Sequence, residues 1–326
     1  MAGGQERVLR RRIKTVESTK KITRAMELIA ATRVVKAQDR AAAARPYASE
    51  ITSVILDLVK AGAATEHPLL REHPDATAAM VVVITSDRGL CGAYNSTMVR
   101  MAERELQAHR AAGRPYKLVV VGSKAETYFR FRGFDIAATF LGVTDRPTYD
   151  QARAIGSTVR ELYEVGDVRS VDLVYWRFLS AGTQDVVIRR FLPLDVQEDD
   201  DAAEGPSADI EYEPSTTAIL ETLLPRYVES RVYSALLDAS ASEHAARQRA
   251  MKAATDNAEE LKTNLTRIMN RARQDSITTE IMEIVSGAEA LAADKGSAED
   301  LLPDLLVPRH LFPENLDPRD SFDAAH

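Results

Sequence analysis

Residues 226–286 read RYVESRVYSALLDASASEHAARQRAMKAATDNAEELKTNLTRIMNRARQDSITTEIMEIVS, a run of 61 positions that contains neither glycine nor proline. Residues 5–45, near the other terminus, form a second such run of 41 positions. At about 1.5 Å per residue, these runs predict helices of roughly 90 Å and 60 Å. Helical patterns of this length are typical of coiled coils, membrane spans or helical repeats.

Composition reduces these three classes to one. Both runs are dense in charged residues, which excludes a bilayer span, and no obvious repeat of about 20 to 50 residues is present. An antiparallel two-helix coiled coil remains, closed by a chain that leaves one helix, builds a domain and returns along the other. The two ends of the sequence are therefore predicted to pair.

The N-terminal run carries a narrow apolar stripe in two groups of three residues, each with spacings of four and then three. The predicted seam consists of Leu9, Ile13, Val16, Ile22, Met26 and Ile29. Pro46 removes one helical hydrogen bond, so we expect a kinked or restarted helix that continues to about residue 60.

Between the helical runs, short β-branched stretches alternate with amphipathic ones. The predicted strands are 79–85, 117–121, 171–178 and 186–194, and the predicted helices are 96–111, 123–132 and 149–164. Alternating strands and helices are typical of a layered domain with a partly parallel sheet. The predicted fold is thus a long α-helical coiled coil with an inserted Rossmann-like α/β domain.

This pattern divides the chain into four parts. They are the N-terminal coiled-coil helix 1–75, the central α/β domain 76–209, the C-terminal coiled-coil helix 210–291 and an acidic, proline-rich tail 292–326. We expect the tail and the acidic stretch 198–209 to be disordered or solvated. Ser215 is a suitable N-cap for the C-terminal helix.

The charge is distributed unevenly along the chain. Residues 5–45 carry twelve Lys or Arg against four acidic residues, whereas the tail from Asp294 carries eight acidic residues against three basic ones. The basic helix should therefore prefer an acidic partner. Nucleic acid is a weaker alternative, because residues 5–46 contain no aromatic side chain that could stack on bases.

Cysteine and apolar content indicate the compartment. The single Cys91 forbids an internal disulfide and is expected to be a small buried hydrophobe, which fits a reducing environment. No apolar run is long enough to cross a bilayer, and the first twelve residues are polar, so we expect a cytosolic chain.

Two glycine-containing turns are candidate phosphate cradles. Residues 86–95 read SDRGLCGAYN and residues 121–124 read VGSK, but neither spacing matches a known nucleotide-binding loop. A structural turn is the favoured interpretation. We find no catalytic motif and expect no cofactor or metal, which argues against the third alternative, a nucleotide-using enzyme acting alone.

The two helical runs differ in length by 20 residues, or about 30 Å of helix. If they pair flush beside the α/β domain, the C-terminal helix extends beyond its partner. The overhang contains Ile277, Ile281, Ile284 and Val285. An apolar stripe on an unpaired helix has to be covered, so another chain is expected to supply the cover.

Four separated segments resemble one known family. KKITRAMELIAATR at 20–33, SDRGLCG at 86–92, MKAATDNA at 251–258 and the stretch 277–287 are similar, in this order, to the gamma subunit of F-type rotary ATP synthases. The resemblance extends over residues 5–291. It implies a central shaft that turns inside a hexamer of alpha and beta subunits, with its α/β domain and epsilon on a membrane ring of c subunits.

The resemblance also implies the location and the chemistry. The chain is expected at the cytoplasmic face of the cell membrane, peripheral and held only through the complex. It would be a non-catalytic subunit that couples proton flow to ATP synthesis or hydrolysis at the beta subunits. Neither a cofactor nor nucleic acid is implied.

Individual positions match the interfaces of the family. The matching residues for contact with beta are Met26, Lys36, Arg273, Gln274 and Thr278. The apolar stripe 277–285 matches the part that turns in a sleeve of the hexamer. Asp87, Arg88 and Tyr94 match a foot that touches epsilon or the c-ring.

One departure from the family concerns the tail. The family usually ends a few residues after the segment that matches Gly287, whereas this chain continues for 38 residues beyond Ala288. The departure leaves two alternatives: a gamma subunit with a regulatory or disordered extension, or a gamma-like paralogue with a modified role.

Overall fold

The computed structural model describes residues 2–60, 67–71, 73, 75–193, 213 and 215–294. The predicted acidic linker and all but the first residues of the predicted tail lie outside these ranges. The chain divides into two compact units, one of Met1–Glu17 with Glu260–His326 and one of Ser18–Glu259.

Five helices and five strands are present in the described residues. The helices are α1 (Ala2–Lys60), α2 (Tyr94–Ala111), α3 (Ser123–Phe131), α4 (Tyr149–Glu164) and α5 (Thr216–Asp294); the strands are β1 (Ala78–Ile84), β2 (Tyr116–Val121), β3 (Ala138–Phe140), β4 (Val168–Phe178) and β5 (Gln184–Leu192).

The helix α1 continues through Pro46 instead of restarting there. A proline costs a helix one hydrogen bond, and packing of the following turns can outweigh that cost. Ile51, Ile55 and Leu58 are all buried, so α1 is held by the core on the C-terminal side of the proline. The predicted end near residue 60 is confirmed.

The five strands form one sheet in the order β3-β2-β1-β4-β5. The strand β1 lies parallel to both β2 and β4, β3 lies parallel to β2, and only β5 is antiparallel to its neighbour β4. All seven residues of β1 are buried, as expected for a central strand covered on both faces. The predicted Rossmann-like domain is therefore confirmed, and the three-residue edge strand β3 was missed.

The two faces of the sheet are covered by different helices. Ile55, Ile155 and Leu224 belong to the core that α1, α4 and α5 make with one face. Leu106 and Phe129 belong to the core that α2 and α3 make with the other. The predicted N-cap of α5 is confirmed, since the hydroxyl of Ser215 accepts a hydrogen bond from the amide of Ala218 at 3.2 Å.

Within the unit Ser18–Glu259, α1 and α5 run antiparallel. Lys20 forms an ion pair with Glu259, and the hydroxyls of Thr23 and Thr255 lie 2.8 Å apart. Further along, Val34 and Ala37 pack with Ala241 and Ala245. The two helices therefore meet through small side chains, which permit close approach of their backbones.

These contacts correct the second half of the predicted seam. Ile22 and Ile29 are 59% and 54% exposed, whereas the neighbouring Thr23 and Ala30 are buried. The prediction relied on large apolar residues and therefore placed the seam one position too early. The two helices approach closely here, and close approach requires small side chains such as threonine and alanine. Met26 is half-buried beside the true seam.

In the unit that contains both termini, α1 and α5 are antiparallel as well. Lys262 forms an ion pair with Glu17 at 3.6 Å, and Gln5 borders the same small cavity as Ala272 and Ser276. Leu9 is buried, which agrees with the first part of the predicted seam.

Candidate functional site

The turn that follows β1 is organised by one carboxylate. Asp87 accepts hydrogen bonds from the amides of Ser123, Gly142 and Thr144 at 3.0 to 3.1 Å, and from the hydroxyl of Thr144 at 3.1 Å. The amide of Ser123 belongs to the first residue of α3, where a phosphate cradle would present its donors. Asp87 therefore occupies the position that an anionic ligand would take.

The second glycine-containing turn is filled in the same way. Gly122 has φ of 98°, and a Cβ there would lie 2.4 Å from the carbonyl oxygen of Thr85, so only glycine fits. The hydroxyl of Thr85 accepts a hydrogen bond from the amide of Ala125 at 3.0 Å. These contacts support the interpretation of both turns as structural.

A buried polar network lies between this turn and α5. Glu243, His244 and Arg247 lie within about one turn of α5, and all three are buried. Arg247 donates a hydrogen bond through Nη2 to Oε1 of Glu243 at 2.6 Å. It also donates through Nε and Nη2 to the carbonyl oxygen of Gly89, at 3.4 and 3.3 Å, which ties the turn to α5.

Asp145 joins the network to α1. Its carboxylate forms an ion pair with Arg33 of α1 and lies 4.0 Å from Nη1 of Arg88. Burial alone would raise the pKa of Asp145, but the neighbouring Arg33 outweighs burial and lowers the pKa below its usual value. Arg33 and Asp145 thus connect α1 to the α/β domain.

The environment of His244 defines its tautomer. Its Nε2 lies 3.1 Å from the carbonyl oxygen of Asp145, and its Nδ1 lies 3.3 Å from Nη1 of Arg247. Arg247 has only hydrogen-bond donors, so Nδ1 accepts and Nε2 donates. Burial, together with the nearby Arg247, lowers the pKa of His244 to about 4, and the ring is therefore neutral at pH 7.

The donor atoms of Asp145, Glu243 and His244 lie within 4.8 Å of one another, a spacing that a metal ion could use. However, Arg33 and Arg247 already provide the positive charges that balance the two carboxylates. Burial raises the pKa of Glu243, as expected for a carboxylate inside the protein. The arrangement fits an internally balanced ionic network better than a metal centre.

Tyr94 is not placed to touch a partner. It is 3% exposed, its hydroxyl donates to the carbonyl oxygen of Ala239 at 3.1 Å, and its ring stacks on Trp176. The prediction that its side chain forms part of a foot is therefore wrong, because the ring fills the space between the turn and α5. Arg88 is 65% exposed and remains accessible.

Cys91 is buried and carries a free thiol, so its interpretation as a small buried hydrophobe is confirmed. Burial raises the pKa of this thiol, which makes it a poor nucleophile.

The predicted contacts for beta lie on the long helices. Lys36 of α1 is exposed, as are Arg273, Gln274 and Thr278 of α5. The hydroxyl of Thr278 donates to the carbonyl oxygen of Gln274 at 3.0 Å, one turn earlier. These three residues therefore present their polar groups to solvent on adjoining turns.

The end of α5 presents an apolar stripe. Ile277, Ile281, Ile284 and Val285 are 48%, 55%, 71% and 47% exposed. Their spacings of four, three and one place them on one face of the helix. The described part of this chain does not cover the stripe, in agreement with the expectation drawn from helix length.

The network around Glu243 was missed by sequence reasoning. Its only local signal is the pair Glu243 and Arg247, four positions apart in a stretch otherwise rich in alanine and serine. Exposed salt bridges on helices show the same spacing, so the pattern alone does not reveal burial.

A pair of antiparallel helices joined by an inserted α/β domain defines the class of stalk-forming subunits. Comparison with known proteins is consistent with this class. Residues 5–291 match the ATP-synt family, described as ATP synthase.

Relatives are similar over most of their length. The ATP synthase gamma chain of Parafrankia sp. is 52% identical over 295 residues, covering 89% of this chain and 99% of the relative. The gamma chain of Streptomyces coelicolor is 46% identical over 306 residues, covering 90% and 99%. The chain therefore belongs to the gamma-chain family of ATP synthases.

Solved structures of ATP synthases contain chains with a similar fold. A chain in the central stalk and c-ring structure of Tetrahymena thermophila mitochondrial ATP synthase is 27% identical, with a TM-score of 0.57, covering 72% of this chain and 99% of that one. A chain of Euglena gracilis mitochondrial ATP synthase, 19% identical with a TM-score of 0.61 and coverage of 95% and 100%, supports the fold. Among the described residues, no helix is long and apolar enough to cross a membrane.

Proposed function

We propose that this chain is the rotating shaft of a proton-translocating ATP synthase. Its helices turn inside a hexamer of alpha and beta subunits, and its α/β domain stands with epsilon on the ring of c subunits. Proton flow turns the ring and the shaft, and the asymmetric shaft drives each beta site through its nucleotide-binding states. Membership of the gamma-chain family is the main support for this proposal.

The observation that carries the mechanism is the way α1, α5 and the α/β domain are joined. Arg33 on α1 pairs with Asp145 on the domain, the neutral His244 on α5 contacts the carbonyl oxygen of Asp145 and Arg247, and Arg247 pairs with Glu243, so polar contacts connect both helices to the domain. Torque applied to the domain has to reach the helices without slippage. A buried network in which the donors and acceptors face one another resists such slippage, because breaking it exposes a charge to the protein interior.

The chain itself is proposed to be non-catalytic. The amides that would bind phosphate at the start of α3 are used by Asp87 and Thr85. Nucleotide chemistry is therefore assigned to the beta subunits. We place the shaft at the cytoplasmic face of the cell membrane, attached through the complex.

Contact with beta is proposed at two levels of the shaft. Met26 and Lys36 on α1 serve one contact, and Arg273, Gln274 and Thr278 on α5 serve the other. The apolar stripe from Ile277 to Val285 turns in an apolar sleeve of the hexamer. At the foot we retain only Arg88 as a contact for epsilon or c, because Asp87 and Tyr94 are engaged inside the domain.

Purification from gently solubilised membranes tests the assignment. A tagged chain should recover alpha, beta, epsilon and c subunits together with ATP hydrolysis that the isolated chain lacks. Recovery of the tagged chain without alpha and beta would reject the shaft assignment.

The beta contact is tested in the same complex. Arg273→Ala with Gln274→Ala should lower ATP turnover, while Arg267→Ala, on an exposed position of α5 two turns away, should leave it unchanged. Equal turnover for both variants would remove these two residues from the proposed contact.

A further inference from the structure

A cavity of about 330 Å³ lies where the turn after β1, the hairpin of β4 and β5, and the helix α5 meet. We call it the Trp176 cavity, and its wall includes Trp176, Tyr94 and Arg249. Neither Glu243 nor His244 of the polar network lines it. The contacts proposed above for beta, epsilon and the c-ring do not use its wall either.

The space exists because small side chains face one another across it. Gly92 and Ala93 of the turn line one side, and Ala246 and Ala250, one turn apart on α5, line another. The turn and the helix come close at one point, where a Cβ on Gly92 would lie 3.7 Å from the Cβ of Ala250. Cavities of about 300 to 1,000 Å³ with a largely apolar wall are typical of sites for small molecules.

The aromatic part of the wall is held in place by its own contacts. The rings of Trp176 and Tyr94 stack, with centroids 5.7 Å apart and an angle of 18° between their planes. The indole N–H of Trp176 donates to the carbonyl oxygen of Tyr94 at 3.2 Å, which fixes the orientation of the indole. A flat apolar molecule can therefore bind to a surface that is already ordered, and such preorganisation favours binding.

Arg249 gives the cavity its charge. It is the only charged residue among the ten that line the cavity. Its guanidinium donates to the carbonyl oxygen of Ala181 at 2.7 Å and to Oε1 of Gln184, both of which are uncharged. Within the described part of the chain, Arg249 has no carboxylate partner, and the two hydrogen bonds leave further N–H groups of the guanidinium for a ligand.

These features select one class of ligand. The stacked rings and the alanines favour a flat apolar body, and the single unneutralised guanidinium favours one carboxylate, the group that arginine binds best in planar geometry. A nucleotide polyphosphate does not fit this wall, because its several negative charges would face only one cation.

We propose that the Trp176 cavity binds a small aromatic carboxylate, with its ring system against Trp176 and its carboxylate on Arg249. The bound molecule contacts the turn, the β4–β5 hairpin and α5 at the same time. The proposal depends on the geometry and charge of the cavity and does not require the proposed rotary function.

A titration of the full-length chain tests the proposal. Trp176 is the only tryptophan, so its indole N–H gives a single indole resonance in the spectrum of ¹⁵N-labelled protein. The probe is 2-naphthoate, and the matched control is 2-naphthamide, which has the same shape and no charge. We expect naphthoate to shift the resonance saturably, with a dissociation constant of about 1 mM or lower, and naphthamide to bind about fivefold more weakly. The absence of a saturable shift, or equal affinity for the two probes, would overturn the proposal.

Two variants locate the bound probe. Ala246→Leu fills the cavity and should weaken naphthoate binding at least tenfold, whereas Ala253→Leu, at an exposed position two turns further along α5, should leave it unchanged. Equal binding by these two variants would show that the probe lies elsewhere and would reject the site.

Arg249→Met tests the charge without filling the cavity. It should remove the preference for naphthoate over naphthamide, and it keeps the test valid if Ala246→Leu disturbs the fold. A preference that persists in Arg249→Met would reject Arg249 as the partner of the carboxylate, and with it the proposed ligand class.

Discussion

Arg247 and Glu243 form a hydrogen-bonded ion pair across one turn of α5, with 2.6 Å between Nη2 and Oε1, and both side chains are buried. The same guanidinium reaches the carbonyl oxygen of Gly89 in the turn after β1. One side chain therefore balances the buried charge on α5 and fastens the α/β domain to that helix.

Replacing Arg247 by Met should destabilise the unit by about 3 to 5 kcal/mol, because the carboxylate of Glu243 is left buried and unpaired. Urea unfolding followed by the fluorescence of Trp176, the only tryptophan, measures the loss. The control is Arg249→Met, an exposed arginine two positions later, for which we expect about 1 kcal/mol or less.

The double variant Glu243→Gln with Arg247→Met separates the effect of an unpaired buried charge from the effect of the changed side-chain size. It should be more stable than Arg247→Met alone, since no buried charge remains. A double variant as unstable as the sum of the two single ones would show that the pair does not act as a unit.

His244 should make the unit sensitive to acid. Its pKa is about 4 in the folded chain and about 6.5 when unfolded, so between these values the unfolded state binds a proton that the folded state does not. The contribution of His244 to the free energy of unfolding is therefore fully present above about pH 6.5. It is lost, by up to about 3 kcal/mol, as the pH drops to 4. His244→Gln should flatten this part of the unfolding profile. A profile unchanged by His244→Gln contradicts the assignment.

Asp238 should have the opposite effect on the pH dependence of stability. Burial raises its pKa to about 6, despite the nearby Arg45 and Arg177. Between pH 4 and 6 the folded state holds a proton that the unfolded state has lost, so stability falls as the pH rises through this window, by about 3 kcal/mol at most. Asp238→Asn should therefore stabilise the unit at pH 7.5 and have little effect at pH 4. Destabilisation at pH 7.5 would show that its contacts with the two arginines outweigh burial.

The apolar stripe of α5 is expected to matter for assembly and little for folding. Ile277→Asp with Ile284→Asp places two charges on the stripe, seven positions apart, and should reduce recovery of alpha and beta at least tenfold. Thr279→Asp with Ser286→Asp places the same charges at the same spacing on the opposite face and serves as the control. Circular dichroism should show equal helix content for both variants, because all four positions are exposed. Equal recovery of alpha and beta would reject the stripe as their contact.

Much of the fold follows from local pattern. The start and end of α4 were predicted as observed, and the predicted strands overlap β1, β2, β4 and β5. The strand β3 was missed because it has only three residues and no apolar alternation of its own. It exists because β2 offers a parallel edge to Ala138, Thr139 and Phe140.

The seam shows where local pattern stops being sufficient. Leu9 was correctly placed, but Ile22 and Ile29 were expected at an interface that Thr23 and Ala30 make instead. Helix periodicity identifies candidate faces. It does not tell how closely a second helix approaches, and that distance decides whether the interface takes isoleucine or alanine.

The amino-acid sequence by itself determined the two long helices, the alternation of strands and helices between them, and the exposed stripe at the end of α5. These properties depend on spacing within one element, which the chain carries locally. Only the tertiary structure decided which face of α1 meets α5, and only it brought together Arg33 and Asp145, 112 residues apart, with His244 another 99 residues along. Such contacts depend on long-range packing and on the low dielectric of the interior, which turns ordinary charged residues into a connected and buried network.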